Sequence, residues 1–217
     1  MNEKIISYQN FYEIIHEDIL PQIASWQIQK HRIFKENQNE KISYHLPLLI
    51  DEILENQSFK DFLLQIPPFP NDYIVLLIQA GSAVIGQYEE GKLVNHKVIK
   101  KYMVRAAQGK AQLKHLNSKG KSKLGSRIRL AQTKDFFEEI NQKLEEWEIT
   151  NIPFIFYSGS IDCWNLLFES KINCPFEKKD KRLRKVPLLV HTPDFEELLR
   201  INEFILNAKK ETKEFFL

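Results

Sequence analysis

The sequence predicts an α/β fold with a mixed sheet that opens with an antiparallel meander and continues through helical crossovers, preceded by a helical N-terminal segment. Three observations lead to this fold. Apolar residues recur at helical spacing in the first seventy residues, three short strand-like runs follow Tyr73, and helix-like and strand-like runs alternate after residue 130. We therefore expect a helical segment over residues 1–70 and an α/β domain over residues 71–217.

The first seventy residues contain two patterns with helical spacing of apolar residues. They are FYEIIHEDILPQIASW, from Phe11 to Trp26, and IDEILENQSFKDFLLQ, from Ile50 to Gln65. The PPFP run from Pro67 to Pro70 then stops any helix, because proline has no backbone amide hydrogen to donate. This run is the predicted boundary between the helical segment and the α/β domain.

The meander is predicted from three consecutive runs rich in β-branched residues or alternating in polarity. These runs are YIVLLIQAG from Tyr73, SAVIGQYEEG from Ser82 and KLVNHKVIKKYMVR from Lys92. Glycine ends each of the first two runs, which is typical of the tight turn between antiparallel strands. The third strand leads directly into a long cationic stretch.

The rest of the chain alternates helices with strands. LAQTKDFFEEINQKLEEW predicts an amphipathic helix with Thr133 as its N-cap. Then come a strand, a helix, a strand and a closing helix that begins at Pro193, with the sequences PFIFYSGS, IDCWNLLFES, KVPLLVH and PDFEELLRINEFILNAKK. Ser160 and Asp162 are expected to cap the second of these helices, and Cys163 to lie in the core. Strands separated by helices are expected to be parallel.

The composition is that of a folded protein of the cytoplasm. Apolar residues make up 43% of the 217 residues, no apolar run is long enough to cross a bilayer, and the N-terminus lacks a signal-peptide pattern. Cys163 and Cys174 form neither a CxxC pair nor a metal-ligand cluster. We expect no disulfide framework, no metal, no cofactor and no membrane partner.

Charge is distributed unevenly along the chain. From Gly91 to Lys134 there are thirteen Lys and Arg and no Asp or Glu, so the other eighteen basic residues face all twenty-nine acidic ones. Lysine-rich loops are often only solvated surface, but an acid-free stretch of this length favours a polyanionic partner. Lys and Arg that displace counterions from phosphates supply affinity without reading bases.

The centre of this stretch is a predicted loop of twenty-one residues, from Ala106 to Ser126, between the third strand of the meander and the next helix. Connections of this kind usually take about 2 to 6 residues, so a longer one indicates function. Gly109, Gly120 and Gly125 allow the backbone to turn freely and to approach a ligand closely.

Two motifs in and after this loop resemble the Vms-type release-factor-like family, in a bacterial-type single-domain version. They are QGKAQ, from Gln108 to Gln112, and KGKSKLGSRIR, from Lys119 to Arg129. Members of this family are ribosome-associated peptidyl-tRNA hydrolases that are related in fold to the middle domain of eukaryotic and archaeal class I peptide release factors. The resemblance covers about residues 73–191 and implies a release-factor middle-domain-like fold.

The resemblance also implies a site and its partners. Gly109 matches the first glycine of the family's Gly-Gly-x-Gln element, and Gln112 matches its catalytic glutamine. The expected RNA-binding residues are those of the loop and the helix entry: Arg105, Lys110, Lys114, Lys119, Lys121, Lys123, Ser126, Arg127 and Arg129. The implied partners are tRNA and the large ribosomal subunit, not DNA. The implied reaction is hydrolysis of the ester between a nascent peptide and tRNA, with water positioned by Gln112.

Two other functions fit the same residues. Lys110 stands where the family has its second glycine, so the protein could be a noncatalytic tRNA- or ribosome-binding module with a decayed site. Alternatively, His115 could serve a nuclease that acts near the tRNA 3′ end. A second basic segment, FEKKDKRLRK from Phe176 to Lys185, is either a solvated loop or a further contact with ribosomal RNA.

Overall fold

The computed structural model describes residues 2–101 and 121–215, with the backbone alone over residues 121–132. The chain forms two compact units that interleave along the sequence. One comprises Met1–Asn71, Glu89–Gly91 and Arg200–Leu217, and the other comprises Asp72–Tyr88 and Lys92–Leu199. We call them the terminal unit and the central unit. The division at residue 70 into two functional domains stays a prediction.

The described strands, in chain order, are β1 (Asn2–Ile6), β2 (Gln27–Gln29), β3 (Arg32–Glu36), β4 (Glu40–His45), β5 (Tyr73–Gln79), β6 (Ser82–Glu89), β7 (Lys92–Lys100), β8 (Phe154–Ser158), β9 (Leu183–Lys185) and β10 (Ala208–Glu214). The described α-helices are α1 (Tyr8–Ile14), α2 (Phe59–Gln65), α3 (Lys121–Glu146), α4 (Ile161–Phe168) and α5 (Phe195–Leu206). A π-helical turn, Ile15–Ile19, and a 3₁₀ turn, Leu20–Ser25, extend α1, and a second 3₁₀ turn, Ile149–Asn151, follows α3.

The central unit contains a mixed sheet in the order β7-β6-β5-β8-β9. β5 pairs antiparallel with β6 and parallel with β8, and β8 pairs parallel with β9. The run from Tyr73 to Ile78 in β5 is buried on both faces, which explains its continuous apolar sequence. The mixed sheet, the opening meander and the helical crossovers predicted from the sequence are thereby confirmed.

Helices α3 and α4 contribute to one core of the central unit. Phe136, Phe137, Ile140 and Leu144 of α3 are buried there together with apolar residues of β5 and β6. Asn141 is fully buried among them, and its Nδ2 donates hydrogen bonds of 2.8 Å to the carbonyl oxygens of Leu167 and Ile172. This asparagine therefore fixes the position of α3 relative to the end of α4 and the loop that follows.

Glycine is required at one position in β6. A Cβ on Gly86 would lie 2.9 Å from both Cδ atoms of Leu198 in α5, closer than real Cβ atoms come to their neighbours. Leu198 is itself fully buried, so α5 packs tightly against the sheet at this point.

The terminal unit corrects the prediction of a helical N-terminal segment. Residues 2–45 form four strands as well as α1, and these strands join β10 in an antiparallel sheet of order β1-β10-β4-β3-β2. β10 pairs with both β1 and β4, so this sheet depends on contacts between the two ends of the chain. Local apolar spacing does not show such pairing, and the lysine-rich sequence of β10 has little intrinsic preference for strands.

Two further predictions were wrong in detail. The strand predicted over Lys185 to His191 lies two residues earlier: β9 ends at Lys185, and Pro187, which has no amide hydrogen, stands two residues beyond its end. The helix predicted from Thr133 begins twelve residues earlier, at Lys121, and Thr133 is therefore inside α3 rather than its N-cap. The added turns contain Lys, Leu, Arg, Ala and Gln, which are good helix formers, with Gly125 as the weak point.

Within the part of the chain that the structure describes, no helix combines the length and the apolar character needed to cross a membrane.

Candidate RNA-binding and catalytic site

The structure places the predicted functional loop between the end of β7 and the start of α3. Residues 102–120 lie outside the described residues, and with them the predicted site residues Arg105, Gly109, Lys110, Gln112, Lys114 and Lys119, as well as His115. Residues 121–126, predicted as the end of the loop, belong instead to the first turns of α3. Lys121, Lys123, Ser126, Arg127 and Arg129 therefore lie on a helix.

The root of the loop is fixed on its strand side by Lys101. The Lys101 backbone amide donates a 2.9 Å hydrogen bond to the carbonyl oxygen of Gly81, in the turn between β5 and β6. Its Nζ lies 3.0 Å from a carboxylate oxygen of Glu139 on α3, and Nζ of Lys97 lies 3.6 Å from the other. These half-exposed ion pairs add little stability, and they mark the point where the end of β7 meets α3.

The start of α3 lies far along the helix from the contact between Lys101 and Glu139. Glu139 is eighteen residues beyond the helix start at Lys121, which corresponds to about 27 Å at 1.5 Å per residue. The two ends of the loop are thus attached at points well separated along the axis of α3. A connection of ordinary length could not join them, which gives a structural reason for the long loop.

A charged groove of about 470 Å³ lies beside the loop root. It is lined by Lys97, Lys101, Asp135, Glu138, Glu139, Gln142, Lys143, Glu146 and Ile172. The hydrogen bond from Lys143 lowers the pKa of Glu146. Acidic residues outnumber basic ones here, so this groove is a poor surface for a phosphate chain.

The ends of four strands lie along one edge of the central sheet. β5, β8 and β9 are parallel. β7 follows β6 through a two-residue turn and must run antiparallel to it, and hence parallel to β5. The carboxyl ends of β5, β7, β8 and β9 therefore share this edge, which is where open α/β sheets usually bind ligands.

Two side-chain hydrogen bonds hold the segment after β9 against this edge. Nε2 of Gln79 donates to the carbonyl oxygen of Val190 at 2.6 Å, and Oγ of Ser82 donates to that of Pro193 at 2.6 Å. The loop containing Gln112 leaves from the same edge at Lys101. The two hydrogen bonds therefore hold together the sheet edge from which the loop leaves.

The residues predicted near α4 have structural roles. Oγ of Ser160 accepts a hydrogen bond of 3.2 Å from the amide of Cys163, which confirms the predicted N-cap, and Asp162 lies in the first turn. Cys163 is buried, as predicted. Burial raises the pKa of the Cys174 thiol to about 12, so this cysteine stays protonated at neutral pH and is not a nucleophile.

The second basic segment is organised around Arg182. Its guanidinium contacts both carboxylate oxygens of Asp180, at 2.8 Å from Nη2 and 3.1 Å from Nε. Its Nη1 donates to the carbonyl oxygens of Ile149, Thr150 and Ile152, at 2.9, 2.8 and 3.2 Å. In the sequence Arg182 looks like one more cation of a basic segment. The spacing of Asp180 and Arg182 is the local sign of their ion pair.

Glu139 is the other residue that the sequence did not single out. It lies in an amphipathic helix with several glutamates and has no local sign of a special role. Its importance depends on its position opposite Lys97 and Lys101, which are about forty residues earlier in the chain. Among the described residues, no group of three or more His, Cys, Asp or Glu side chains is placed to hold a metal ion.

Residues 73–213 match the model of the family described as Bacteroidetes VLRF1 release factor. The match covers more than half of the chain and includes the loop between β7 and α3. The chain belongs to this VLRF1 release factor family. The resemblance to the Vms-type release-factor-like family is thereby confirmed, whereas β1 to β4 lie outside the region that the VLRF1 match covers.

Two curated relatives are consistent with membership of the VLRF1 family. The tRNA endonuclease vms-1 of Caenorhabditis elegans is 26% identical over 133 residues, which are 59% of this chain and 21% of the relative. The tRNA endonuclease ANKZF1 of Homo sapiens is 26% identical over 137 residues, which are 61% of this chain and 19% of the relative. The chain thus matches about a fifth of the length of these relatives.

A solved structure, the Vms1 mitochondrial localization core, has the same fold. It superposes with a TM-score of 0.52 and 13% sequence identity, over 93% of this chain and 83% of the solved one. At this identity the similarity concerns the fold alone. It supports the α/β architecture expected for a VLRF1-type protein.

Proposed function

We propose that this protein is a peptidyl-tRNA hydrolase that releases nascent peptides from tRNA on stalled ribosomes or large ribosomal subunits. The observation that carries the proposal is membership of a release factor family, combined with a long cationic loop between β7 and α3 that contains Gly109 and Gln112. Release factors act on the ester at the 3′ end of tRNA, and this loop has the residue types for that task.

Gln112 is the proposed catalytic residue, and its role is to position water. A glutamine amide takes no proton at neutral pH, so Gln112 is not a general base. Its oxygen accepts a hydrogen bond from the attacking water, while its NH₂ group or a nearby backbone amide faces the oxyanion. Gly109 allows the backbone to come close to the RNA. Such positioning and electrostatic stabilisation can supply much of the rate enhancement.

The proposed reaction is a simple ester hydrolysis. The water oxygen attacks the carbonyl carbon, and the bond from this carbon to the 3′ oxygen of the ribose breaks. The ribose oxygen leaves with one proton of the water, the peptide leaves as a carboxylate, and the second proton passes to the solvent. The hydrolysis as written requires no metal or cofactor.

The basic residues supply affinity for RNA in this proposal. Those of the loop are Arg105, Lys110, Lys114 and Lys119, and those at the start of α3 are Lys121, Lys123, Arg127 and Arg129, with Ser126 as a neutral donor. A helix start that carries this much positive charge is unfavourable for the helix dipole, and an RNA phosphate would relieve it. This is a physical reason to place the RNA at the start of α3.

A second function is favoured by the names of the relatives. Both curated relatives are described as tRNA endonucleases, so cleavage of a phosphodiester bond near the tRNA 3′ end is the alternative. In that reaction the nucleophile is a ribose 2′-OH or water, and His115 is the candidate acid or base. A noncatalytic module with Lys110 at a decayed site would show neither reaction.

The products distinguish these functions. Purified protein is incubated with isolated large subunits that carry peptidyl-tRNA labelled separately in the peptide and at the tRNA 5′ end, and both labels are followed on denaturing gels. We expect free peptide and a tRNA of full length. Shortened tRNA with the peptide still attached to its 3′ fragment would identify a nuclease. Unchanged peptidyl-tRNA, with the protein bound to the subunit, would identify a binding module.

A further inference from the structure

The segment from Glu177 to Lys185 carries lysines whose charge the fold leaves uncompensated. Its two acids are Glu177 and Asp180, and the carboxylate of Asp180 is already held by Arg182 at 2.8 Å. Within residues 2–101 and 133–215, the exposed ammonium groups of Lys179, Lys181 and Lys185 form no ion pair. Free cations on a folded surface are available to an anionic partner.

The backbone that presents these lysines is held in place. Arg182 joins the segment to three carbonyl oxygens before β8, and β9 pairs in register with β8. Phe176, immediately before the segment, is buried in the core. A ligand that binds here orders side chains but not backbone, which keeps the entropic cost of binding low.

The position of β9 indicates which part of an RNA would lie on it. β9 and β7 are the two edge strands of the central sheet, and four strand spacings of about 4.8 Å separate them by about 19 Å. Lys185 ends β9, whereas Lys179 and Lys181 precede it and lie toward the sheet edge opposite to the one from which the loop leaves. The loop with Gln112 starts at the β7 edge. An RNA whose 3′ end is held by that loop must extend across the width of the central sheet to reach these lysines, and the part of a tRNA that continues from its 3′ end is the double-stranded acceptor arm.

We propose that Lys179, Lys181 and Lys185 bind the phosphate backbone of the acceptor arm of the same tRNA whose 3′ end lies at the loop. This inference rests on the proposed function, because the proposed function is what identifies the RNA as tRNA. Charge complementarity carries the contact: each phosphate neutralised on a duplex releases its condensed counterions. The three lysines contact phosphates and therefore add affinity without selecting a tRNA sequence.

The test compares three RNA ligands and two triple variants. The first variant is Lys179→Glu, Lys181→Glu and Lys185→Glu. The matched control makes the same charge change at exposed lysines elsewhere, Lys4→Glu, Lys60→Glu and Lys92→Glu. The ligands are full-length deacylated tRNA, a short single-stranded RNA ending in CCA, and vacant large subunits. Binding is measured over a range of salt concentrations, and thermal melting confirms that each variant is folded.

We expect the first variant to bind full-length tRNA about tenfold more weakly than the control does, with a salt slope reduced by up to about 2.7, at roughly 0.9 per phosphate contact. Binding of the short RNA stays within twofold of wild type. Equal tRNA affinity for the two variants overturns the inference, as does a loss confined to vacant subunits, which assigns the segment to ribosomal RNA. If the Glu variant fails to fold, the three Lys→Gln substitutions are measured against the same outcomes.

Failure of this inference is distinct from failure of the proposed function. A protein that releases peptide, but whose tRNA affinity does not depend on the three lysines, contradicts the inference alone. A protein that binds tRNA through them and releases no peptide contradicts the hydrolase and leaves the acceptor-arm contact in place.

Discussion

Two lysines near the end of β7, Lys97 and Lys101, and the lysines of the segment from Glu177 to Lys185 have opposite surroundings in the fold. Lys97 and Lys101 belong to a stretch of sequence without a single acid, yet both lie against Glu139 of α3. Lys179 and Lys181 have two acids beside them in the sequence, and one of these acids is already paired with Arg182. A lysine in an acid-free stretch of sequence can therefore be paired in the fold, and a lysine with acids beside it in the sequence can remain without an ion pair.

This difference excludes the α3 surface beside Lys97 and Lys101 from the proposed RNA-binding surface. Lys97 and Lys101 form a compensated root for the loop, next to a groove that is also lined by Asp135, Glu138 and Glu146. Uncompensated charge is expected at the loop, at the start of α3 and around β9. The α3 surface near the loop root should face away from RNA, because a carboxylate near a phosphate is repelled.

The largest expected effect on RNA binding follows from reversing charge in the loop and the start of α3. Substituting Lys119, Lys121 and Lys123 with Glu removes three proposed phosphate contacts. On large subunits that carry tRNA, binding should weaken by about tenfold or more, and the slope of log affinity against log salt should flatten by about 2, at roughly 0.7 per phosphate of a single strand. An unchanged salt slope would place the RNA surface elsewhere. The variant Lys4→Glu, Lys60→Glu and Lys92→Glu again serves as the control.

The next effect concerns the stability of the second basic segment. Arg182→Ala removes the ion pair with Asp180 and leaves three carbonyl oxygens without their donor. Hydrogen bonds to charged groups contribute roughly 1.5–3 kcal/mol, and we expect a loss of unfolding free energy of that size in urea denaturation. Arg182→Lys keeps the charge but not the planar guanidinium, so it should recover only part of the loss. Full stability of Arg182→Ala would show that the segment is held by β9 pairing alone.

A smaller effect is expected from acid. The hydrogen bond from Arg182 lowers the pKa of Asp180, so this pair contributes its full stability above the ordinary aspartate pKa of about 3.9 and loses it as pH falls further, through the folded-state pKa. The stability difference between wild type and Arg182→Ala should therefore be constant near neutral pH and shrink below about pH 4. A difference that stays constant down to pH 2 would contradict this account of the pair.

The smallest effect tests whether the charges of Lys97 and Lys101 are compensated by Glu139. Glu139→Gln frees Lys97 and Lys101, which are half-exposed, so stability should change by less than about 1 kcal/mol. Affinity for tRNA should rise by about twofold, since two more cations become available. Glu138→Gln removes the same charge without breaking either pair and should leave affinity unchanged. Equal increases in both variants would mean that net charge matters here and pairing does not.

The meander and β8 of the central sheet could be predicted from the sequence because their signals are local, whereas β9 was placed too late. Tyr73 to Ile78 form an apolar run of strand length, and Gly81 and Gly91 mark the turns of the meander with positive φ. The terminal sheet could not be predicted, because β10 acquires its structure by pairing with β1 and β4 at the other end of the chain. Such long-range pairing leaves no periodic signal in β10 itself.

The sequence shows the features on which the candidate site was proposed, and the site residues themselves stay a prediction. The length and glycine content of the loop and the Gln108 to Gln112 motif are visible in the sequence. The start of α3 was predicted too late in the chain, because Gly125 and Ser126 suggest a loop. The surrounding Lys, Leu and Arg residues favour helix. The role of Glu139 was invisible because it depends on which strand lies beside α3.

The central claim is that the basic residues bind RNA while Gln112 supplies the chemistry. Its most direct test is single-turnover peptide release by Gln112→Ala on large subunits that carry peptidyl-tRNA, measured together with binding to the same subunits. Binding should stay within twofold of wild type, and the release rate should fall by about 10²- to 10³-fold, as when one oxyanion-hole donor is removed. Gln112→Glu should not restore the rate, because a carboxylate would meet the developing negative charge. Release by Gln112→Ala at the wild-type rate would contradict the claim.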